Sequence, residues 1–263
     1  MSTTTPWRTA LVTGASSGIG AEFARTLAAR HVDLVLVARS SRALNDLAQQ
    51  LRSQHDVRVE VLTTDLSREG AGQQIANHVR ELRMTIDLLV NNAGFATQGR
   101  FETIDPDLDH RQAMLNVVAV VDLTHALLPG MISRGAGTVI NVASVGGFQP
   151  APYLAVYGAS KAFVLSFSQA LSAELRRRGV RVLALCPGPV DTAFFTVLGS
   201  HRAAIGQTLP VAAVVQAALD SATTKHTVVI PGRRNQLQTV FARVLPRRVV
   251  LTLAERATRG VTG

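Results

Sequence analysis

Short apolar runs alternate along the chain with stretches whose apolar residues recur at helical spacing. The runs are rich in valine, isoleucine and leucine and predict seven strands, at 9–14, 33–39, 57–65, 86–94, 137–144, 180–188 and 226–232. The stretches between them predict helices at 18–30, 41–54, 67–82, 105–130, 155–178 and 211–222. Strands that are apolar on both sides and alternate with helices are typical of a parallel sheet covered on both faces.

The order of these elements predicts the fold class. Right-handed connections favour a doubly wound α/β arrangement, that is, a single-domain Rossmann fold with a seven-stranded parallel sheet and helices on both faces. The sequence has no linker, repeat or low-complexity segment that divides this pattern. We therefore predict one domain over 1–232 and a basic helical C-terminal extension over 233–263.

Composition narrows the class of protein. With 263 residues, 47% of them hydrophobic, the chain can bury a sizeable core. Its single cysteine, Cys186, excludes an intrachain disulfide framework and fits a reducing compartment. The first residues have no apolar signal-peptide core, and no uninterrupted apolar run reaches the roughly 18 residues of a membrane span. We expect a cytoplasmic protein.

The net charge of +9 is concentrated in the extension, where residues 233–263 contain seven arginines and one acid, Glu255. No nucleic-acid-binding motif accompanies this charge, so we predict no nucleic-acid partner. Pro246 breaks the helical pattern, and an apolar stripe is predicted at Val240, Leu245, Val249 and Leu253. Two interpretations stay open: the extension packs over a substrate cleft or a second subunit, or it docks reversibly on an anionic membrane. The seven histidines lack metal-ligand spacing, so we predict no metal site.

A glycine-rich loop between the first strand and the first helix predicts a phosphate site. Gly14, Gly18 and Gly20 allow a tight turn and close approach of a diphosphate, and the helix N-terminus directs its free N–H groups at the anion. The alternative is a helix-capping loop with no ligand.

The end of the second strand indicates which dinucleotide binds. NAD-binding proteins of this fold usually carry an acid there, which bonds the ribose 2′-hydroxyl. Here Ala38 takes that place and Arg39 follows, and an arginine can pair with a 2′-phosphate. We predict NADP(H) rather than NAD(H), unless Arg39 is only a solvated charge. Asp65, at the end of the third strand, either meets the adenine amino group or caps the next helix.

Tyr157 and Lys161 lie one helical turn apart, so their side chains share a face. A free tyrosine has a pKa near 10, and a neighbouring cation favours the phenolate and lowers that value. The pair is either a proton-transfer device or a chance surface pair.

The motifs in this order resemble those of the short-chain dehydrogenase/reductase family over about residues 7–232. They are Gly14-x-x-x-Gly18-x-Gly20, Asn91-Asn92-Ala93-Gly94, Asn116, Ser144, Tyr157-x-x-x-Lys161 and Pro187-Gly188 with Thr192. The resemblance implies that Tyr157 is the general acid/base, that Lys161 tunes it and holds the ribose, and that Ser144 polarises the substrate carbonyl. It further implies that Asn116 holds a water of a proton relay. The blander alternatives are a turn for Ser144 and for Asn91-Asn92, and a polar core residue for Asn116.

The resemblance also implies the remaining contacts and the activity. Besides the glycines, Arg39, Asp65, Tyr157 and Lys161, the predicted cofactor contacts are Ser16, Ser17, Ile19, Leu66, Asn92, Ala93, Gly94, Pro187, Gly188, Val190 and Thr192. The predicted substrate loop covers about 190–210, and the predicted substrate contacts are Ser144, Phe95, Phe148, Tyr153 and Phe194.

Because most of these substrate contacts are apolar, a hydrophobic ketone, aldehyde or alcohol is the expected substrate. We expect an oxidoreductase that transfers hydride between NADP(H) and this carbonyl or alcohol. The alternative is a non-catalytic dinucleotide-binding regulator or redox sensor. The family's pairing of two long helices, here 105–130 and 155–178, implies a homodimer or homotetramer.

Overall fold

Seven parallel strands form one sheet in the computed structural model, which describes residues 5–191 and 208–259. The strands are β1 Thr9–Thr13, β2 Asp33–Ala38, β3 Val59–Thr63, β4 Leu88–Asn91, β5 Gly137–Val142, β6 Val180–Leu185 and β7 Val228–Val229. Their order across the sheet is β3-β2-β1-β4-β5-β6-β7, and each neighbouring pair is parallel. The predicted doubly wound α/β fold is confirmed.

Helices cover both faces of this sheet. They are α1 Gly18–Ala28, α2 Ser41–His55, α3 Ala71–Glu81, α4 Pro106–Ser133, α5 Ala155–Leu175, α6 Val211–Ala222, α7 Arg233–Val244 and α8 Arg247–Arg259. On one face, α1, α2 and α6 bury apolar residues such as Phe23 and Val214. On the other face, α3, α4 and α5 bury residues such as Ile75 and Leu123. Removal of these side chains from water is the main force that holds both layers to the sheet.

The chain order reverses beside β1, and this reversal positions the site. From β1 the chain builds outward through β2 to β3, then returns to place β4 on the other side of β1. Val12 is in register with Val90, so the carboxyl ends of β1 and β4 open at the same edge. In open parallel sheets, ligands bind in the crevice at such a reversal.

Several predicted elements are shorter in the structure, and two of them have a local reason. The helix predicted at 67–82 begins only at Ala71, because Gly70 has a left-handed backbone with φ 74°, which is not helical. The strand predicted at 226–232 pairs only over Val228–Val229. Pro231, which lacks an N–H group, and Gly232, with φ 88°, follow after Ile230 and favour its early end.

Helix α4 is the one helix among the described residues that is long and apolar enough to cross a membrane by length and composition, with a mean hydropathy of 1.6. This differs from the expectation drawn from uninterrupted apolar runs. Its inner side chains, among them Val120, Leu123 and Met131, are buried against the rest of the fold. The helix therefore forms one layer of the domain.

Candidate active site

The glycine-rich loop connects β1 to α1 at the edge where the chain order reverses. Gly14 has a left-handed backbone with φ 64°. A Cβ atom on Gly20 would lie 2.3 Å from the carbonyl oxygen of Gly14, so only glycine allows the first turn of α1 to lie this close to the loop. Ser17 precedes α1, and its side chain forms no capping hydrogen bond. The N–H groups of this helix end are thus open to an anion, and the loop fits a dinucleotide diphosphate.

Thr13, a residue that the sequence analysis missed, fastens β1 to the turn after β4. Its Oγ1 donates to the carbonyl of Val90 at 3.2 Å and accepts from the backbone N–H groups of Asn92 at 2.9 Å and Ala93 at 3.0 Å. The Asn92 Nδ2 donates back to the Thr13 carbonyl at 2.9 Å. Asn92 therefore stabilises the structure as well as lining the cavity. The position of Thr13 directly before Gly14 is the feature of the sequence from which its role could have been predicted.

Arg39 and Asp65 lie together beyond the carboxyl ends of β2 and β3. Arg39 is exposed, and both residues line the same cavity as the glycine-rich loop. Burial alone would raise the pKa of Asp65, but hydrogen bonds from Ser67 and the guanidinium groups of Arg39 and Arg68 lower it overall. Asp65 does not cap α3, because its Oδ1 accepts from the Ser67 backbone at 3.0 Å and α3 begins after Gly70.

Asn116 lies in a π-helical turn, Met114–Val118, inside α4. Its Nδ2 donates to the carbonyl of Phe95 at 3.0 Å and to the Ser160 hydroxyl at 3.1 Å, and its Oδ1 accepts from the Phe95 N–H at 3.2 Å. Ser160 in turn donates to the Tyr157 carbonyl at 2.7 Å. Asn116 thus joins the loop after β4 to the helix that carries Tyr157 and Lys161. It does not itself line the cavity.

Ser144 follows β5 and faces Tyr157. Its Oγ accepts a hydrogen bond from the backbone N–H of Gly146 at 3.0 Å, which leaves the hydroxyl hydrogen to donate elsewhere. Burial raises the pKa of Tyr157 above its usual range, and a hydrogen bond with Ser144 offsets part of that rise. The net shift is therefore opposite to the lowering expected from a neighbouring cation, because desolvation of the phenolate is the largest effect. The phenol stays protonated at neutral pH.

Lys161 is only 6% exposed and lies one turn further along α5. Its Nζ donates to the carbonyl of Val142 at 2.8 Å and lies 5.8 Å from the ring centroid of Tyr157. Burial lowers the pKa of Lys161 to about 8, with the nearby Cys186 thiol acting in the opposite direction. Lys161 is buried and Tyr157 is half-buried, so the two do not form a surface pair. Their pKa values have moved apart, with that of the lysine lowered and that of the tyrosine raised.

One cavity of about 520 Å³ unites these groups. The predicted site residues that line it are Gly14, Ser16, Ser17, Gly18, Ile19, Arg39, Asp65, Leu66, Asn92, Ala93, Gly94, Phe95, Ser144, Tyr157, Lys161, Pro187, Gly188 and Val190. Gly20 does not line the cavity but packs against the backbone of Gly14 in the loop. Thr192 and Phe194, with most of the predicted 190–210 loop, lie outside the described residues.

Two predicted substrate contacts lie elsewhere. Phe148 sits in a short 3₁₀ turn, Val145–Phe148, and packs against a buried apolar cluster that includes Val164 and Cys186. Tyr153 has a left-handed backbone with φ 62° and lines a neighbouring groove beside Phe101. Neither residue lines the cavity.

The C-terminal extension supplies cavity residues that the sequence analysis missed. Gln238 of α7 and Ala254 and Thr258 of α8 line the cavity. A Cβ atom on Gly188 would lie 2.5 Å from Nδ2 of Asn235, which shows how closely α7 packs on the turn after β6. The residues of the predicted apolar stripe, Val240, Leu245, Val249 and Leu253, are exposed instead. The extension therefore covers the cavity with Gln238, Ala254 and Thr258 and leaves the predicted stripe on its outer side. No cluster of metal-ligating side chains occurs within 5–191 or 208–259.

Comparison with known proteins places the chain among oxidoreductases. A family model described as short chain dehydrogenase matches residues 8–203. Sulfoacetaldehyde reductase 2 of Chromohalobacter salexigens is 39% identical over 198 residues, which cover 74% of this chain and 77% of that protein.

Two solved structures resemble almost the whole fold. A short-chain dehydrogenase from Sphingobium yanoikuyae in complex with NADPH has a TM-score of 0.81 and 35% identity, and covers 93% of this chain and 95% of that one. The bulky-bulky ketone specific alcohol dehydrogenase from Comamonas testosteroni has a TM-score of 0.78 and 32% identity, and covers 94% and 95%. Together with the match over 8–203, these similarities show that the chain belongs to the short-chain dehydrogenase/reductase family of oxidoreductases.

Proposed function

We propose that the protein is an NADP(H)-dependent carbonyl reductase that acts on hydrophobic ketones or aldehydes. The observation that carries the proposal is the placement of Ser144, Tyr157 and Lys161 in the same cavity as a glycine-rich loop that fits a diphosphate. A pure binding protein would not need a half-buried phenol and a buried ammonium beside its ligand. Burial of such groups is costly and is a feature of catalytic sites.

The side chains divide the chemistry of reduction among them. The nicotinamide, when bound, supplies the hydride. Ser144 donates its hydroxyl hydrogen to the substrate oxygen, on which negative charge develops. Tyr157 then gives its proton to that oxygen. Its raised pKa suits this role, because it keeps the phenol protonated before the reaction.

Lys161 and Asn116 support Tyr157 in different ways. The Lys161 ammonium stabilises the phenolate that remains after proton transfer, and its pKa of about 8 also allows it to release a proton. Asn116 holds the Phe95 loop and α5 together and so helps to position Tyr157 and Lys161, which α5 carries. In addition, we propose that it holds the relay water that the family resemblance implies.

Arg39 supports NADP(H) as the cofactor. No acid ends β2, and an exposed guanidinium lies at the cavity rim where a ribose 2′-phosphate would arrive. The similar Sphingobium protein was solved in complex with NADPH. We expect Arg39→Ala to weaken NADPH binding roughly tenfold with little change for NADH. Arg42→Ala, which removes another exposed arginine from α2, is the matched control and should leave both affinities unchanged.

The cavity wall supports a hydrophobic substrate. Phe95, Leu115, Pro150 and Leu154 line it. The similar Comamonas protein is described as specific for bulky-bulky ketones, whereas the similar Chromohalobacter protein is described as reducing sulfoacetaldehyde, a small anion. A panel of both kinds of carbonyl with NADPH separates these possibilities. We expect turnover of the bulky apolar ketones, and turnover of sulfoacetaldehyde alone would contradict this part of the proposal.

We further propose the homodimer or homotetramer that the two long helices imply. On the outer side of α5, Phe163 is 40% exposed and stacks on Phe167 with ring centroids 5.9 Å apart. Such a ring pair is suited to an interface between copies of the chain. Light scattering of the purified protein would show a single monomeric mass if this expectation is wrong.

A further inference from the structure

Helix α7 is inverted relative to an ordinary surface helix. Its innermost residues are polar: Asn235 is fully buried and Thr239 is 4% exposed. Its outward stripe is apolar, with exposed fractions of 55% for Leu237, 54% for Val240, 53% for Phe241 and 76% for Val244. These four residues follow the spacing i, i+3, i+4, i+7, so they form one continuous stripe along the helix. Globular helices normally direct such a stripe at the core.

Helix α8 also exposes apolar residues, although its inner side is mostly apolar. Val250, Ala254 and Thr258 are buried on its inner side, whereas Val249 and Leu253 are exposed on its outer side. We call the outward residues of both helices and their connection the apolar face: Leu237, Val240, Phe241, Val244, Leu245, Val249 and Leu253. The described parts of the chain have eleven exposed large hydrophobic residues. Seven of them form the apolar face, and an eighth, Leu251, also lies on α8. Single exposed hydrophobic residues are ordinary, but a concentration of this kind marks an interaction surface.

Exposed arginines lie on the same two helices as the apolar face. Arg233 and Arg234 begin α7, Arg247 and Arg248 begin α8, and Arg256 lies in the last turns of α8; all five are exposed. Over residues 233–263 the sequence has seven arginines and one acid, a net charge of +6, out of +9 for the whole chain. The partner of this surface is therefore both apolar and anionic.

We propose that α7 and α8 dock the protein on an anionic lipid bilayer. The apolar face would enter the boundary between headgroups and acyl chains, and the guanidinium groups on the same helices would pair with lipid phosphates. Basic residues next to a membrane-inserted apolar stripe strengthen binding to anionic leaflets, and salt weakens that attraction.

A second copy of the chain fits this surface less well. A two-fold dimer through the apolar face would place the same patch of both subunits together, so the two sets of arginines would lie near each other. Like charges brought together at an interface oppose association. The anionic bilayer offers the complementary charge that a second copy lacks.

The docking surface lies on the helices that cover the cavity. Gln238, Ala254 and Thr258 line the cavity from the inner side of α7 and α8. Docking would therefore bring the cavity to the bilayer surface, from which a lipophilic carbonyl could enter. This last step rests on the proposed function, whereas the docking itself does not.

Sedimentation of the full-length protein with lipid vesicles tests the docking. One set of vesicles contains phosphatidylcholine alone, and the other contains phosphatidylcholine and phosphatidylglycerol in equal parts. We expect the protein to pellet with the anionic vesicles at least about tenfold more strongly than with the neutral ones, and to be released by high salt. Because the readout is binding, it is independent of cofactor and turnover.

Two variants of exposed residues localise the binding. Arg247→Glu with Arg248→Glu reverses charge at the apolar face, and Val240→Ser with Phe241→Ser removes part of its apolar area. We expect each pair to lower vesicle binding roughly tenfold or more. Arg176→Glu with Arg177→Glu makes the same charge change on another exposed segment and is the matched control. Thermal unfolding of each variant verifies that it is folded.

Three outcomes would overturn the proposal. The first is wild-type protein that stays in the supernatant with both kinds of vesicle. The second is an equal loss of binding in the control pair. The third is a Val240→Ser, Phe241→Ser protein that binds vesicles normally but dissociates to a smaller oligomer in light scattering, which would assign the apolar face to a second copy of the chain.

Discussion

Helices α5 and α7 both present polar side chains inward, yet their surroundings differ. In α5 the buried Ser160 and Lys161 belong to hydrogen-bonded groups of the site, while Val164 and Leu165 of the same helix are buried in an apolar cluster. In α7 the inward Asn235 and Thr239 have no comparable apolar companions, and the apolar stripe faces outward. The core thus holds α5 in place, whereas α7 is held by close polar packing on the turn after β6. Amphipathic spacing identifies a helix but does not tell which face is buried.

The largest expected effect concerns the catalytic face of α5. Tyr157→Phe removes the proton donor and keeps the ring, so we expect kcat for carbonyl reduction to fall by roughly 10²–10⁴-fold. NADPH affinity should change little, because the substitution leaves the glycine-rich loop and Lys161 intact. Steady-state kinetics and a fluorescence titration check the two parts. Unchanged kcat would remove Tyr157 from the chemistry.

A matched pair of valines compares burial in the two helices. Val164 of α5 is fully buried, and Val240 of α7 is 54% exposed. We expect Val164→Ser to lower the free energy of unfolding by about 3 kcal/mol, since it leaves a cavity and buries a hydroxyl. Val240→Ser should change it by less than about 0.5 kcal/mol. Denaturant unfolding measures both, and equal losses would mean that the apolar face is covered within the folded chain.

The packing of α7 on the turn after β6 can be tested where Gly188 lies close to Asn235. A methyl group added at Gly188 would collide with the Asn235 side chain, so Gly188→Ala should destabilise the fold by about 2 kcal/mol. In an Asn235→Ala background the collision disappears, and the same substitution should cost less than half as much. The four free energies of unfolding form a double-mutant cycle. Additive losses would show that α7 does not rest on this turn.

The buried Lys161 predicts a smaller, pH-dependent effect. Its pKa is lowered from the usual 10.5 to about 8, so between these values the unfolded chain binds more protons than the folded one. The free energy of unfolding should therefore rise with pH between these two values. Below pH 8 the lysine is charged in the folded protein, so the full cost of burying that charge lowers the free energy of unfolding there. Relative to Lys161→Met, we expect the wild-type free energy of unfolding to gain about 1 kcal/mol per pH unit there.

Unfolding curves of both proteins without cofactor, measured across this alkaline range, check the slope. The raised pKa of Tyr157 acts in the opposite direction, but only above its usual value near 10. Parallel curves for wild type and Lys161→Met below that pH would show that the lysine is not desolvated in the folded protein.

Residues at fixed spacing within one element were predictable from the sequence. Tyr157 and Lys161 share one turn of α5, and Gly14 and Gly18 share one loop, so local geometry alone brings each pair together. The alternation of apolar strands and helices was likewise sufficient for the fold class. In each case the signal depends on neighbours in sequence, which the sequence displays directly.

Residues whose place depends on distant packing were not predictable. Thr13 gains its role only when β4 pairs with β1, and Thr258 reaches the cavity only because α7 and α8 fold back over it. Phe148 and Tyr153 were predicted to line the cavity, but Phe148 packs against a buried apolar cluster and Tyr153 lines a neighbouring groove. Residue type states what a side chain can contact, and the backbone path decides what it does contact.

Side-by-side fluorescence titrations of the purified protein with NADPH and NADH test the central claim most directly, because every catalytic role assigned here requires a bound dinucleotide. We expect NADPH to bind at least about tenfold more tightly, a difference of about 1.4 kcal/mol. Equal or tighter binding of NADH would contradict the role of Arg39. Failure of both dinucleotides to bind would contradict the phosphate loop and, with it, the proposed reductase.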